Sequence, residues 1–264
     1  MNIRELTYNR RFLVLSDGKH FPSKAIEAAR QFAEGFEKGF CLLALCDKPQ
    51  EAYASQAEAY VSTCPVDLLY SVCSGTLQDV CDMSERTETP IIFVETAKQS
   101  MFSNVMTIFK AFRGLRIPYV IIKENCEKID FSNILVPVTY LPEEKEKAPY
   151  SCNMGRFLRS NIIVLQAKDY GSKTPANVKA ITAFYDKFNL RYTVRQASKD
   201  SYKVEKEAVM KAKAENAGMV VISTSRDYGL DDMIFGPKEE HLFKIAEVPL
   251  MCINPRGDLY VLCW

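Results

Sequence analysis

"VVISTSRDYGLDDMIFGPKEEHLFKIAEVPLMCIN", Val220 to Asn254, holds the reading on which the fold turns. A short apolar run of the kind a buried strand needs passes into a loop containing Ser and Gly. A helix start follows, and then a second apolar run. The same order occurs earlier in the chain, where "PIIFVET" (Pro90 to Thr96), a helical stretch and "IPYVIIK" (Ile117 to Lys123) follow one another. "GMVVISTS" answers "TPIIFVET", and "VPLMCIN" answers "IPYVIIK".

The correspondence extends outward from these runs. "FLVLSDG" (Phe12 to Gly18), "FCLLALC" (Phe40 to Cys46) and "VDLLYSVC" (Val66 to Cys73) are apolar runs separated by amphipathic stretches. "ILVPVTY" (Ile134 to Tyr140), "NIIVLQA" (Asn161 to Ala167) and "RYTVRQA" (Arg191 to Ala197) repeat that order in the second half. Between the runs the apolar positions take helical spacing. Ala25, Ile26, Ala29, Phe32, Ala33 and Phe36 share one face, with Ser23 as the expected N-cap. Further helices are expected around Glu51 to Val61 and from about Thr76 to Arg86. In "TPANVKAITAFYDKFN", Val178, Ile181, Phe184, Tyr185 and Phe188 share a face, with Thr174 as the expected N-cap and Pro175 in the first turn.

Strands alternating with helices of this length predict an α/β protein: two tandem open five-stranded parallel sheets with helices on both faces. The expected domains are 1–127 and 128–264, joined near Glu124 to Asp130, with 255–264 as a C-terminal extension. One continuous sheet is the alternative. In the extension, "DLYVLCW" is expected to dock as an extra strand or to cover apolar surface.

Composition narrows the function. The chain has 264 residues, 47% of them apolar and 25% charged, enough to bury a core. Its 34 Lys and Arg nearly cancel 33 Asp and Glu, leaving a net charge of +1 and little electrostatic support for a nucleic-acid partner. No apolar stretch approaches the roughly 18 residues that span a bilayer, and the N-terminus lacks the pattern of a signal peptide. Nine cysteines without a C-x-x-C pair, several inside apolar runs (Cys41, Cys46, Cys252), read as small buried hydrophobes in a reducing, cytoplasmic setting. The only two histidines, His20 and His241, fall in different halves, which argues against a His-based nucleophilic centre. His241 is expected to face solvent. The charged run "PEEKEKAP" (Pro142 to Pro149) reads as a solvated loop or helix start. No metal-ligand spacing, P-loop or dinucleotide fingerprint occurs.

The order strand–D-G, helix, strand, helix, strand, helix, strand–small-residue loop–G, helix, V-P strand resembles the universal stress protein family in its tandem form. "FLVLSDG", "ILVPV", "AENAGMVVISTSRDYGLDDMIFG" and "EVPLMCIN" carry the resemblance most strongly. It implies a Rossmann-like sheet of the adenine nucleotide alpha hydrolase type and pairing of the two domains within the chain. It also implies a role in stress resistance of the kind seen in bacteria and plants. Many members bind ATP or AMP, and others bind no nucleotide.

Nucleotide-binding members carry G-x2-G-x9-G-[ST] after the fourth strand, where small residues admit phosphates and a helix N-terminus receives them. Aligned on Gly236, this chain offers Ser223 for the first Gly, Arg226 for the second and Pro237 for the final Ser or Thr. Gly229 stands elsewhere in the loop, and Asp231 and Asp232 add negative charge. Pro237 has neither a hydroxyl nor an N–H. Arg226 and Lys238 are candidate compensating cations, and Ser223, Thr224 and Ser225 offer hydroxyls.

The resemblance also implies an Asp at the end of the first strand that helps hold the nucleoside. Asp17, followed by Gly18, matches it in the first half, and Thr139 stands there in the second. The same "SDG" is a common turn whose Asp bonds its own backbone. His20 beside it is a weaker candidate ligand or base. The expectation is therefore a binding protein, an adaptor or regulator with degenerate nucleotide sites, no catalytic residue, no metal and no resident cofactor. Its partners would be an unidentified protein and, as a further option, a second copy of the chain, with no nucleic acid or membrane. The competing expectation is an ATP- or AMP-binding sensor or slow ATPase using Asp17 and Gly18, or Ser223, Ser225, Gly229, Gly236 and Lys238. A third option is a small metabolite at the carboxyl ends of the strands.

Overall fold

The computed structural model describes residues 1–8, 10–225 and 236–256. Two compact units divide the chain, Met1–Cys126 and the residues from Glu127 onward.

In the first unit the strands are β1 (Phe12–Ser16), β2 (Phe40–Leu45), β3 (Leu68–Cys73), β4 (Ile92–Thr96) and β5 (Tyr119–Lys123). They lie parallel in the order β3-β2-β1-β4-β5. The connecting helices are α1 (Ser23–Phe36), α2 (Glu51–Thr63), α3 (Leu77–Arg86) and α4 (Val105–Phe112). The chain walks from β1 out to β3 and then returns past β1 to β4. Right-handed crossovers therefore put α1 and α2 on one face and α3 and α4 on the other. Every residue of β1, β2 and β4 is buried, which is why each reads as a continuous apolar run rather than an alternating one. Phe12 packs edge-on against Phe32, Phe36 and Phe93, and this cluster joins α1 to the sheet. Burying each such ring contributes about 1.5–3 kcal/mol.

The second unit repeats the plan with β6 (Asn133–Val138), β7 (Asn161–Gln166), β8 (Tyr192–Gln196), β9 (Met219–Ser223) and β10 (Leu250–Ile253). These are parallel in the order β10-β9-β6-β7-β8. Its helices among the described residues are α5 (Lys147–Phe157), α6 (Lys173–Lys187), α7 (Val204–Lys211) and α8 (Lys238–Ile245). α5 packs on α6, and α7 packs on α8 and across β6, β7 and β9.

Three local expectations are corrected. Ser23 is the first helical residue of α1, not its cap, and Pro22 at the cap position offers no side-chain bond. Thr174 lies inside α6, with its hydroxyl donated to Asp169 Oδ2 at 2.6 Å. The run Pro142 to Pro149 is not solvated, since Glu144, Glu146 and Lys147 are all buried. Paired charges can be buried where single ones cannot. The expected strand in the C-terminal extension lies outside the described residues. Among the described residues no helix is long and apolar enough to cross a membrane.

Candidate crevices at the switch points

In an open parallel sheet the ligand crevice lies at the carboxyl ends of the two strands where the winding reverses. Those pairs are β1 and β4 in the first unit and β6 and β9 in the second. The candidate residues fall at these two places.

At the end of β1, Asp17 is buried and both its oxygens are engaged. Oδ1 accepts from the backbone N–H of Lys19 (2.9 Å) and His20 (3.1 Å), which makes the turn expected of "SDG". Oδ2 accepts from Met101 N–H at 2.9 Å and so ties the turn to the segment after β4. Burial alone would raise the Asp17 pKa, but the N–H groups of His20, Lys19 and Met101 and the Ser100 hydroxyl hold it below the ordinary value. Gly18 has φ +71°, and an added Cβ would meet Cys46 Sγ at 2.5 Å, so the turn both needs and just fits a glycine.

The residue that sequence reasoning missed here is Glu95, in β4. Its carboxylate is nearly sealed from solvent. Oε1 lies 2.8 Å from His20 Nε2, and Oε2 accepts from the first free amides of α1, Lys24 N–H (2.7 Å) and Ala25 N–H (3.1 Å). A carboxylate from the sheet therefore caps the helix that Ser23 was expected to cap, and it sits where the helix favours an anion. The one available signal was a glutamate inside an otherwise apolar strand, "IIFVET". His20, a weaker candidate ligand or base beside Asp17, is the partner of that carboxylate.

The second crevice holds a denser set of charges. Lys147 Nζ, fully buried, donates to Pro137 O (2.8 Å), Glu144 Oε2 (2.8 Å) and Glu205 Oε1 (3.3 Å). Glu205 Oε2 accepts from Lys238 Nζ at 2.8 Å, and Glu205 Oε1 accepts from Ser223 N–H at 3.0 Å. Burial alone would raise the Glu205 pKa, but Lys238, Lys147 and the Ser223 N–H carry it well below the usual carboxylate range.

The three candidate hydroxyls are committed as well. Ser223 Oγ donates to Glu144 Oε1 (3.2 Å), Thr224 Oγ1 to Asn254 Oδ1 (2.6 Å) and Ser225 Oγ to Glu239 Oε2 (2.9 Å). Glu239, in the first turn of α8, is fully buried and also accepts from Ser225 N–H. Gly236 has φ +79°, and Glu240 Oε2 lies 2.5 Å from where its Cβ would stand. Pro237 precedes α8 without a side-chain cap. Thr139, the counterpart of Asp17, is buried and accepts from Leu141 N–H at 3.2 Å.

Ser223, Ser225 and Lys238 are thus brought together, with Gly236 at the head of the same helix, while Arg226, Gly229, Asp231 and Asp232 lie outside the described residues. Asp17 and Gly18 belong to the other unit. The E-x-x-K spacing of Glu144 and Lys147, directly after the first strand of the repeat, was the sequence signal for the missed pair. Among the described residues no group of three His, Cys, Asp or Glu side chains is arranged to hold a metal ion. His241 is exposed. Cys41 and Cys252 are buried, Cys46 is half-buried, and burial pushes the Cys41 thiol up to about 12.

Neither a scan against protein-family models nor a search of curated proteins gave a match. Solved structures do match. A universal stress protein from Archaeoglobus fulgidus is 12% identical with a TM-score of 0.60, the match covering 95% of this chain and 99% of that one. The chain has the universal stress protein fold. A putative universal stress protein from Pseudomonas aeruginosa matches with a TM-score of 0.65 at 12% identity, covering 97% of this chain and 96% of that chain. The cytoplasmic domain of a prokaryotic cation chloride cotransporter also matches, with a TM-score of 0.55 at 9% identity over 93% of this chain and 95% of that one. At such identities the likeness concerns the fold, and one fold carries unrelated functions.

Proposed function

We propose that this protein acts by binding, as an adaptor or regulator of the universal stress protein type, and that neither crevice takes a nucleotide. The observation that carries the reading is the ion pair between Lys238 and Glu205 at 2.8 Å. The one described cation of the second loop is held by a carboxylate of the chain itself. The same is true of the donors around it. Ser223 and Ser225 give their hydroxyls to Glu144 and Glu239. Three carboxylates, Glu144, Glu205 and Glu239, converge where phosphates would have to enter. An incoming phosphate would have to displace them and would meet their charge at close range. In the first unit, Glu95 holds the α1 amides and Asp17 spends both oxygens on backbone N–H groups. The donor set does not suit a phosphate ligand.

Thermal unfolding with millimolar ATP, ADP or AMP, with and without magnesium, tests the reading. A ligand present at about 100 times its dissociation constant would add roughly 2.7 kcal/mol, a shift of several degrees for a domain of this size. No shift is expected with any of the three. A clear shift overturns the reading in favour of a nucleotide sensor. Its loss in Asp17→Ala or in Lys238→Ala would then assign the site to the first or the second unit.

A further inference from the structure

The second unit ends in an edge strand unlike its counterpart in the first. β3 is half-buried along its length and packs on α2, and the N-terminal segment lies against its end through Ser74 N–H to Met1 O and Ile3 N–H to Ser74 O, both 3.0 Å. In β8, Thr193, Val194, Arg195 and Gln196 are all exposed, and Val194 keeps 45% of its surface. The ladder to β7 fixes which backbone groups are used. Ile162 N–H donates to Arg191 O and Ala197 N–H to Gln166 O, so the odd-numbered residues of this stretch face β7. Tyr192, Val194 and Gln196 present their N–H and C=O groups outward, as a strand edge ready to pair.

Beside this edge lies a basic hollow. Its volume is ≈ 630 Å³, and it runs between the segment that continues β8 (Ser198 and Lys199) and the outer face of α7, where Lys203, Lys206, Met210 and Lys211 stand. Lys203, Lys206 and Met210 fall at i, i+3 and i+7, opposite the buried Glu205, Ala208 and Val209. Among the described residues Lys199, Lys203 and Lys206 make no ion pair. The carboxylate at the floor, Glu207, is already spent on Ser198 N–H (3.0 Å), Lys199 N–H (2.8 Å) and Lys211 Nζ (2.6 Å). Arg195 is paired with Glu215. Asp200 is the exposed acid on the connecting loop. Met210, 66% exposed, adds an adaptable apolar contact among the ammonium groups.

We propose that β8 and this hollow form a docking site for an acidic segment of a partner protein, which adds to the edge of β8 as an extended strand and sets its carboxylates against Lys199, Lys203 and Lys206. Main-chain pairing would supply affinity and the lysines would supply selectivity. The β8 strand of a second copy, Tyr192–Gln196, carries Arg195 and no carboxylate, so self-pairing through it would leave these lysines without acidic partners. None of these lysines belongs to the network around Lys238, so the proposal does not depend on the outcome with nucleotides.

The test uses the full chain and a fluorescein-labelled peptide of alternating Glu and Val, followed by fluorescence anisotropy at low and physiological salt, with hydrogen exchange read at single amides. Saturable, salt-sensitive binding is expected, with new protection at the Val194 and Gln196 amides. Lys203→Glu together with Lys206→Glu, both on the surface, should weaken binding by about tenfold or more. Val194→Pro removes an outward N–H without touching the ladder to β7, so it should abolish binding while the fold is retained. Equal binding of a Lys-Val peptide, tighter binding of single-stranded oligo(dT), or binding without protection at Val194 and Gln196 overturns the proposal. A concentration-dependent dimer abolished by Val194→Pro overturns it in favour of self-pairing. No binding of the acidic peptide overturns it too, leaving the lysines as guards of an exposed edge.

Discussion

Lys147 Nζ lies 3.3 Å from Glu205 Oε1 and 2.8 Å from Glu144 Oε2, with its side chain fully enclosed. A single ammonium group therefore bridges two buried carboxylates, one of which, Glu205, also holds Lys238. The pairing is a condition of folding rather than a large net gain, because desolvating the charges offsets much of their attraction.

Removing that ammonium exposes the cost. Lys147→Met leaves Glu144 and Glu205 confined without their shared cation and is expected to destabilise the protein by about 3–5 kcal/mol. Urea unfolding measures it. Lys206→Ala, on the exposed face of α7, should stay within about 0.5 kcal/mol of the parent. Equal effects of the two changes would refute the assignment of Lys147 to a buried network.

Acid should weaken the second unit in a predictable window. Burial alone would raise the Glu207 pKa, but hydrogen bonds from Lys211, Ser198 and Lys199 together outweigh it and hold it at about 2 against an ordinary 4.5. A carboxylate with a depressed folded pKa binds more protons when unfolded. Its contribution is therefore complete above pH 4.5 and is lost as pH falls toward 2. Glu205 shifts in the same direction. The urea midpoint should drop between pH 6 and pH 3, and Glu207→Gln should drop less. An unchanged pH sensitivity in Glu207→Gln would dismiss Glu207 as a source.

In the first unit, Asp17→Asn keeps an acceptor for the turn but turns a donor toward Met101 N–H. The expected cost is about 1–3 kcal/mol. Hydrogen exchange localises it, since the Met101 amide should lose protection well before amides of the β1 ladder. If Met101 exchanges as in the parent, Asp17 does not anchor the segment after β4.

Gly236→Ala should cost about 1–2 kcal/mol because its φ of +79° disfavours a Cβ. The nearby Glu240 side chain can swing aside, so Glu240→Ala in the same protein should recover little of the loss. A full recovery would place the cost in the side-chain clash instead of the backbone.

The buried strands were legible because buried parallel strands need unbroken apolar runs, and "FLVLS", "FCLLAL" and "NIIVLQ" can hardly be anything else, whereas the exposed β8, "YTVRQ", was legible from its place in the repeat. The helix caps were not legible. Ser23 is a good local cap, but Glu95, 71 residues from Lys24, reaches its amides first, and no short-range rule sees such a partner. The second crevice was legible only as a departure from the glycine pattern. What fills it, Glu144, Lys147, Glu205 and Glu239, comes from three separate segments, each of which reads alone as ordinary surface charge. Burial becomes visible only when the segments converge and neutralise one another.

The Glu95 carboxylate cannot diffuse away. Bound to β4 through its own backbone, it faces α1 at the same local concentration whatever the cell contains. A crevice closed by a metabolite would tie the folded population to the supply of that metabolite through mass action. Here the group that holds the α1 amides is covalent, so α1 keeps its cap without any ligand. On the proposed reading, the folded fraction of the first unit would not follow adenylate pools, and the amount of intact protein would carry no record of the energy charge of the cell.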